Sequence, residues 1–565
     1  MRWSNRRTRL AALTLSLLAL LVASPASLSA APRIDVTVGI AGHVVRLHYA
    51  PIRVEIAGLD DGTHGEIRVD QQLGNPAERP AQITHAIVHG ALADGVYEST
   101  IPIYDPLNPL EVSVISGGRT LVSSTINVRM NRRTSPFPAV CGFPAQVAAD
   151  AVFIDPADLP RDWWGLDGVR SLWIGGDAAL SSAQWQAVAE WTLAGGSLVL
   201  LTGSDFYRID SPTLRRLLPI ADPHLATGSD GAQVLLGTLS TGSRVLLGPT
   251  DAPLAAAGPH GAGTVLMAAL AVADLSSDTI DRIHAHVESA RTLSTQLMAE
   301  ATLREMTVIR PTYVVAPVIV AAMVLSFVWF ARGVVRRRRL ALLGLCVAIA
   351  VFAVVSGLTT NEAKRPVDLY ASSTVVSIQD GYGIDIGWHS LYSGRTREFA
   401  LDRGGGGFPL QSLIRSAAGT SFDAVSTPDG TQLPLVAHDR RDLESYGRQP
   451  TLLHVSVEGH ALQVANQTGD VVDNAILLAN GRVHQLPPIP VGEQTYVLGD
   501  GLETYLYDSG HVALELVFER LGERLGLLTE TWLVRFDETE RLARDGKHGE
   551  KVRDTRIELI RGRAG

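Results

Sequence analysis

Two uncharged apolar runs, residues 312–331 and 340–358, lie close together in the chain. Each is near the roughly 20 residues that a helix needs to cross the hydrocarbon of a bilayer. Between them stand Arg332, Arg336, Arg337, Arg338 and Arg339. Arginines within a few residues of a span are retained in the cytoplasm. The pattern therefore predicts a two-helix transmembrane hairpin over 312–358, with its turn inside and both flanks outside. The competing reading is a pair of buried core helices. Residues 1–30 predict a signal peptide: Arg2, Arg6, Arg7 and Arg9 precede an apolar run over 10–23, and small residues follow up to Ala30. That run, about 14 residues, is shorter than a span, which favours a cleaved leader over an anchor. Together these features predict an inner-membrane protein with two extracytoplasmic flanks. Its expected partners are the lipid bilayer and other envelope proteins.

The chain has 565 residues, enough for several domains. A net charge of -9 provides no footprint for nucleic acid. Its two cysteines are Cys141 and Cys346, and the second falls inside an apolar run, so the two are not expected to pair. Cys141 reads as a small buried apolar residue. Residues 404–407 are a glycine run, but Phe408-Pro409 offers no helix start at which to hold a phosphate. No cofactor is expected.

Residues 32–135 alternate apolar and polar side chains, as in Ile34, Val36, Val38 and Val54, Ile56. Several such segments, with Gly117-Gly118 as a hairpin turn, predict an immunoglobulin-like β-domain. Residues 140–308 change rhythm. Apolar strands at 151–154 and 171–174 precede a helix opened by Ser181 and Gln184, which have capping-box spacing. Trp185, Val188, Ala189 and Thr192 line one face, Gly195-Gly196 stops the helix, and 198–201 is a buried strand. Strand, helix and strand in this order suit a parallel sheet. An amphipathic stalk helix is expected over 276–308, with His284 and His286 two residues apart and so not a metal pair.

The run from Trp173-Ile174-Gly175-Gly176-Asp177 through Trp191, then Ala194-Gly195-Gly196-Ser197-Leu198-Val199, resembles the class I glutamine amidotransferase-like fold. More closely it resembles uncharacterised bacterial membrane proteins that carry such a domain outside the cytoplasm. In catalytic members the nucleophile is a cysteine in a Gly-x-Cys-x-Gly elbow after such a strand. The corresponding place here reads Thr202-Gly203-Ser204-Asp205-Phe206, so the resemblance implies a non-catalytic member. Residues 365–565 return to strands, with Asn480-Gly481 as a hairpin turn and a helix face at Leu514, Val517, Phe518, Leu521 and Leu525. The expected fold class is multidomain: a β-sandwich, an α/β amidotransferase-like domain, two transmembrane helices and a C-terminal β-rich α+β domain.

Three functional readings follow. The first is a non-enzymatic, membrane-anchored envelope protein that acts in binding or assembly. The second is a serine hydrolase using Ser204, which needs a base and an orienting carboxylate; His224 and His260 are the candidates. The third is a ligand sensor at the sheet edge, since Asp155, Asp177 and Asp205 each follow an expected strand and parallel sheets bind ligands beyond their strand carboxyl ends. Aspartates in such places also serve as turn and cap residues.

Overall fold

The computed structural model describes residues 31–143, 150–289, 367–503 and 531–564, short interruptions within these stretches and the isolated Arg332 apart. Near the N-terminus, β1 (Arg33–Val38), β2 (His48–Ala57) and β3 (Gly95–Ile103) form an antiparallel sheet with β2 in the middle. The period-2 pattern dictates its two faces. Ile52, Val54 and Ile56 are buried, while Arg53 and Glu55 between them are exposed. The apolar face packs with Ile67, Val69, Val112 and Val114 from a second sheet. That second sheet pairs His64–Leu73, Ala81–Ala91, Leu110–Ser116 and Arg119–Ile126. It is extended by strands from far along the chain: Ala424–Thr427 pairs in parallel with Ala81–Ala91.

The middle of the chain forms a seven-stranded sheet. β4 (Phe137–Cys141), β5 (Val152–Ile154), β6 (Val169–Ile174) and β7 (Ser197–Leu201) run parallel, as does β8 (Gly263–Ala268) beside β7. Ala255–His260 and Arg244–Leu247 complete it in antiparallel fashion. All five residues of β7 are buried, because both faces are covered and neither side of the pleat meets water. One cover is α1 (Ser182–Leu193). Ser181 caps it, accepting from the Gln184 backbone N–H, and Gln184 returns to the Ser181 backbone in a complete capping box. The other cover is α2 (Ser277–Ser289), whose Ile283 and Val287 pack with Trp173 and Val199.

Most of α1 is buried, including Glu190 on the side away from Trp185. The outer side of the helix is roofed by the C-terminal sheet, through the strand Val367–Gln379 and β9 (Tyr382–Ser393). One apolar cluster runs from Trp185 and Val188 to Ile384 and Ile386. The nine-stranded C-terminal sheet also contains β10 (Asp439–Gln449) and the long hairpin Trp532–Asp545/His548–Arg561.

The expected fold class needs correction. The described residues are mostly β-sheet, with four short α-helices among them. Among the described residues the C-terminal part is built of strands, several of them long. No described helix is long and apolar enough to cross a membrane. The longest, α2, has 13 residues and carries Asp278, Asp281, Arg282 and Glu288, well short of the roughly 20 apolar residues a span requires. The expected pair of transmembrane helices, and with it the inner-membrane location with extracytoplasmic flanks, is therefore not retained. The runs at 312–331 and 340–358 lie outside the described residues, as do Arg336, Arg337, Arg338, Arg339, the leader at 1–30 and the helix face at 514–525. Arg332 is described and exposed.

Candidate functional site

The carboxyl end of the parallel sheet is where an α/β fold leaves room for a ligand. At that end two of the strand-to-loop turns pass close to each other. A Cβ on Gly142, just after β4, would overlap the carbonyl oxygen of Gly175 after β6. Cys141, the last residue of β4, is buried, and burial together with the nearby negative charge of Asp155 pushes its thiol up to about 12. Such a thiol stays protonated and unreactive at neutral pH.

After β7 the chain turns sharply. Gly203 has φ +55, and a Cβ there would overlap the backbone nitrogen of Ala271. The left-handed position of the turn thus excludes any side chain, a nucleophile included. Ser204 follows in a 3-10 turn and is exposed, without a hydrogen bond to any histidine or carboxylate among the described residues. The Asp205 backbone N–H donates to the Thr202 carbonyl at 3.2 Å, and the Asp205 carboxylate caps nothing. His224 is exposed, with Nδ1 3.0 Å from the Asp222 carbonyl. His260 is buried at the end of another strand. The structure therefore does not assemble Ser204, His224 and His260 into a triad.

The three aspartates are not brought together either. The Asp155 carboxylate accepts from the Ala157 backbone N–H at 2.9 Å and caps the turn Pro156–Asp158. Asp177 lies outside the described residues. Among the described residues no three His, Cys, Asp or Glu side chains converge as a metal site.

One concavity among the described residues lies elsewhere. A half-open cleft of about 950 Å³ covers the polar face of the β1–β2–β3 sheet. Its floor follows from strand register: Asp35 stands opposite Glu55, Thr37 opposite Arg53, Arg53 opposite Glu98, and Pro51 opposite Thr100. One wall is the segment 157–162 that follows β5, and another is the turn at Asn127, Val128 and Asn131. Two ion pairs cross from floor to wall, Arg53 to Asp158 at 4.0 Å and Arg161 to Glu98 at 3.6 Å. All four side chains are substantially exposed, so each pair contributes about 0–1 kcal/mol. Asp35 and Glu55 make no ion pair among the described residues. Like charges facing each other across strands cost about 0.2–1 kcal/mol.

Asp162 forms the far corner of the cleft. Burial raises its carboxyl above the ordinary range, and the Arg448 guanidinium opposes that shift. Arg448, on β10, reaches Asp162 at 3.4 Å and holds the buried Glu190 carboxylate of α1 through Nε at 2.8 Å. Its guanidinium also lies over the Trp164 ring, 5.5 Å from the centroid. Sequence reasoning missed this cleft. The alternation that marked the strands also identified Asp35, Arg53 and Glu55 as outward-facing, but nothing in it showed that a segment a hundred residues later would cover them. No protein-family model matches the chain, and no curated protein matches it.

Proposed function

We propose that this protein acts by binding and not by catalysis, and that the cleft over the β1–β2–β3 sheet is its binding site. The observation that carries this reading is the cleft itself. At about 950 Å³ it falls within the few hundred to a thousand cubic ångströms of ligand sites, and its walls come from segments far apart in the chain. The close backbone packing at Gly142 and Gly203 and the unassembled Ser204 site count against the hydrolase and sheet-edge sensor readings.

A side-by-side comparison tests the proposal. Thr37 is exposed on the cleft floor, so Thr37→Trp fills the cleft without touching the core. A diverse small-molecule panel is screened against the full chain by thermal shift. A ligand present at 100 times its Kd stabilises by about 2.7 kcal/mol, and that gain is expected to vanish in Thr37→Trp. Ser204 is expected to remain unlabelled by a fluorophosphonate. Labelling of Ser204, or ligands whose binding ignores Thr37→Trp, would overturn the reading.

A further inference from the structure

We propose that the turn over residues 129–133, with Arg46 beside it, is a docking surface for an acidic protein segment, whose carboxylates meet the arginines around an apolar side chain set against Met130. Arg46, Arg129, Met130, Arg132 and Arg133 do not line the cleft. The inference therefore goes beyond the binding reading above and does not depend on it.

No aspartate or glutamate occurs between Asp35 and Glu55, and none between Glu111 and Asp150. The fold joins these two stretches. Val44–Val45 pairs in parallel with Arg132–Arg133, and Val44, Val45 and Val128 are buried. The 3-10 turn Arg129–Asn131 is held from the side. His43 Nδ1 lies 3.1 Å from the Asn131 carbonyl oxygen, and a Cβ on Gly42 would come within 3.1 Å of the Asn131 amide nitrogen. Four arginines are gathered in this way. Arg46, Arg129 and Arg132 are exposed, and Arg133 is half-buried. Their side-chain contacts are to neutral groups: Arg46 Nε donates to the Tyr104 carbonyl at 3.3 Å, and the Arg133 guanidinium lies 5.9 Å from the centroid of the Phe137 ring. None of the four forms an ion pair among the described residues. Asp105, next to Tyr104 in the chain, is engaged instead by the Leu107 backbone N–H and by Asn108 Nδ2.

A second observation is independent of charge. Met130, in the middle of the 3-10 turn, is 86% exposed, more than any other large apolar residue described. Methionine and arginine are both enriched at protein interfaces, where lysine is depleted, and all four cations here are arginines. A guanidinium donates two parallel hydrogen bonds to a carboxylate or a phosphate, so the choice among polyanions rests on the rest of the surface. Stable attachment to an anionic bilayer takes a basic patch together with an acyl chain or an amphipathic helix face, and one methionine is neither. A net charge of -9 repels a long polyanion such as a nucleic acid. A short acidic segment carries few charges, brings them to the arginines, and supplies an apolar side chain to cover Met130. The anchoring of the turn by His43 and Gly42 fixes this surface before a partner arrives, which lowers the entropy lost on binding.

The test is fluorescence anisotropy of a labelled, blocked nonapeptide, glutamates flanking a central leucine, titrated with the full chain. Beside it stand the same peptide with glutamine for glutamate, vesicles of phosphatidylglycerol, and a single-stranded oligonucleotide. The acidic peptide is expected to bind, and to bind more weakly as salt screens the arginines. The double variant Arg129→Glu/Arg132→Glu is expected to weaken it at least tenfold, and Met130→Ala several-fold. These three side chains are exposed, so the melting temperature of each variant should stay unchanged, which separates lost binding from lost folding. Thr37→Trp should leave the peptide's affinity as it was, so that this surface and the cleft stand or fall separately. Equal affinity for the glutamine peptide, undiminished binding by the double variant, or no binding of the acidic peptide overturns the inference. Vesicles or an oligonucleotide that bind through Arg129 and Arg132 more tightly than the peptide does overturn it as well.

Discussion

His85 shows how a single residue can set the response of the chain to pH. It is 4% exposed, and Nε2 has no partner. Its ring stacks on Tyr104 with centroids 5.9 Å apart. Burial lowers its pKa from 6.5 to about 4. The folded state therefore holds the neutral ring, while the unfolded chain takes up a proton near 6.5. Between these values the unfolded state binds more protons, so stability rises with pH there and is lost as pH falls. The contribution is complete above 6.5 and declines toward pH 4, with a limiting slope of about 1.4 kcal/mol per unit. Urea melts at pH 7, 5.5 and 4.5 check this. Wild type is expected to lose stability more steeply than His85→Phe, and parallel pH profiles would refute the assignment.

At the scale of the element, α1 was the most legible part of the chain. Ser181 and Gln184 stand in the sequence at capping-box spacing, and the structure forms that box. Trp185, Val188 and Ala189 are buried as the helical spacing implies. Trp185 is 2% exposed, so Trp185→Ala is expected to cost about 3–5 kcal/mol, the range for truncating a buried aromatic. An unchanged denaturation midpoint would show that the helix face is wrong. The other side of α1 was not legible. Glu190 lies outside the face that the spacing picks out, and it is 4% exposed because the C-terminal sheet roofs it. Periodicity reports which side of a helix is apolar, not whether a later segment will cover the polar side. The turn after β7 was legible only in part. The missing elbow cysteine, which made the resemblance imply a non-catalytic member, stands in the sequence, whereas the exclusion of any side chain at Gly203 depends on how close Ala271 comes.

Across the whole molecule, Arg448 ties the C-terminal sheet to α1 and to a corner of the cleft. Its Nε lies 3.0 Å and 2.8 Å from the two oxygens of Glu190. Arg448→Ala would strand a buried carboxylate. Breaking a fully buried pair costs about 3–5 kcal/mol. Arg448 itself is 41% exposed, and Gln186 also donates to Glu190 at 2.8 Å, so a smaller loss, about 2–3 kcal/mol, is expected from the surface share of the pair. Chemical denaturation checks the size. The double variant Arg448→Ala/Glu190→Gln should recover most of the loss; no recovery would show that Arg448 acts through its stacking on Trp164 instead.

Local order could be read from local residues. The alternation in β1 and β2, the buried run of β7 and the cap of α1 each follow from side chains within a few positions of one another, where pleat and helical pitch impose their periods. The membrane expectation came from the same kind of local signal, apolar runs flanked by arginines, and no described helix bears it out. What tertiary structure alone decided are the meetings between distant segments. These include the pairing of Ala424–Thr427 with Ala81–Ala91, the roof over Glu190, and the closure of residues 157–162 over a sheet whose central strand begins at His48. Such contacts obey no short period, because they are fixed by which surfaces are left to bury once each sheet has formed. The cleft, made wholly of such contacts, was therefore invisible until the chain was folded.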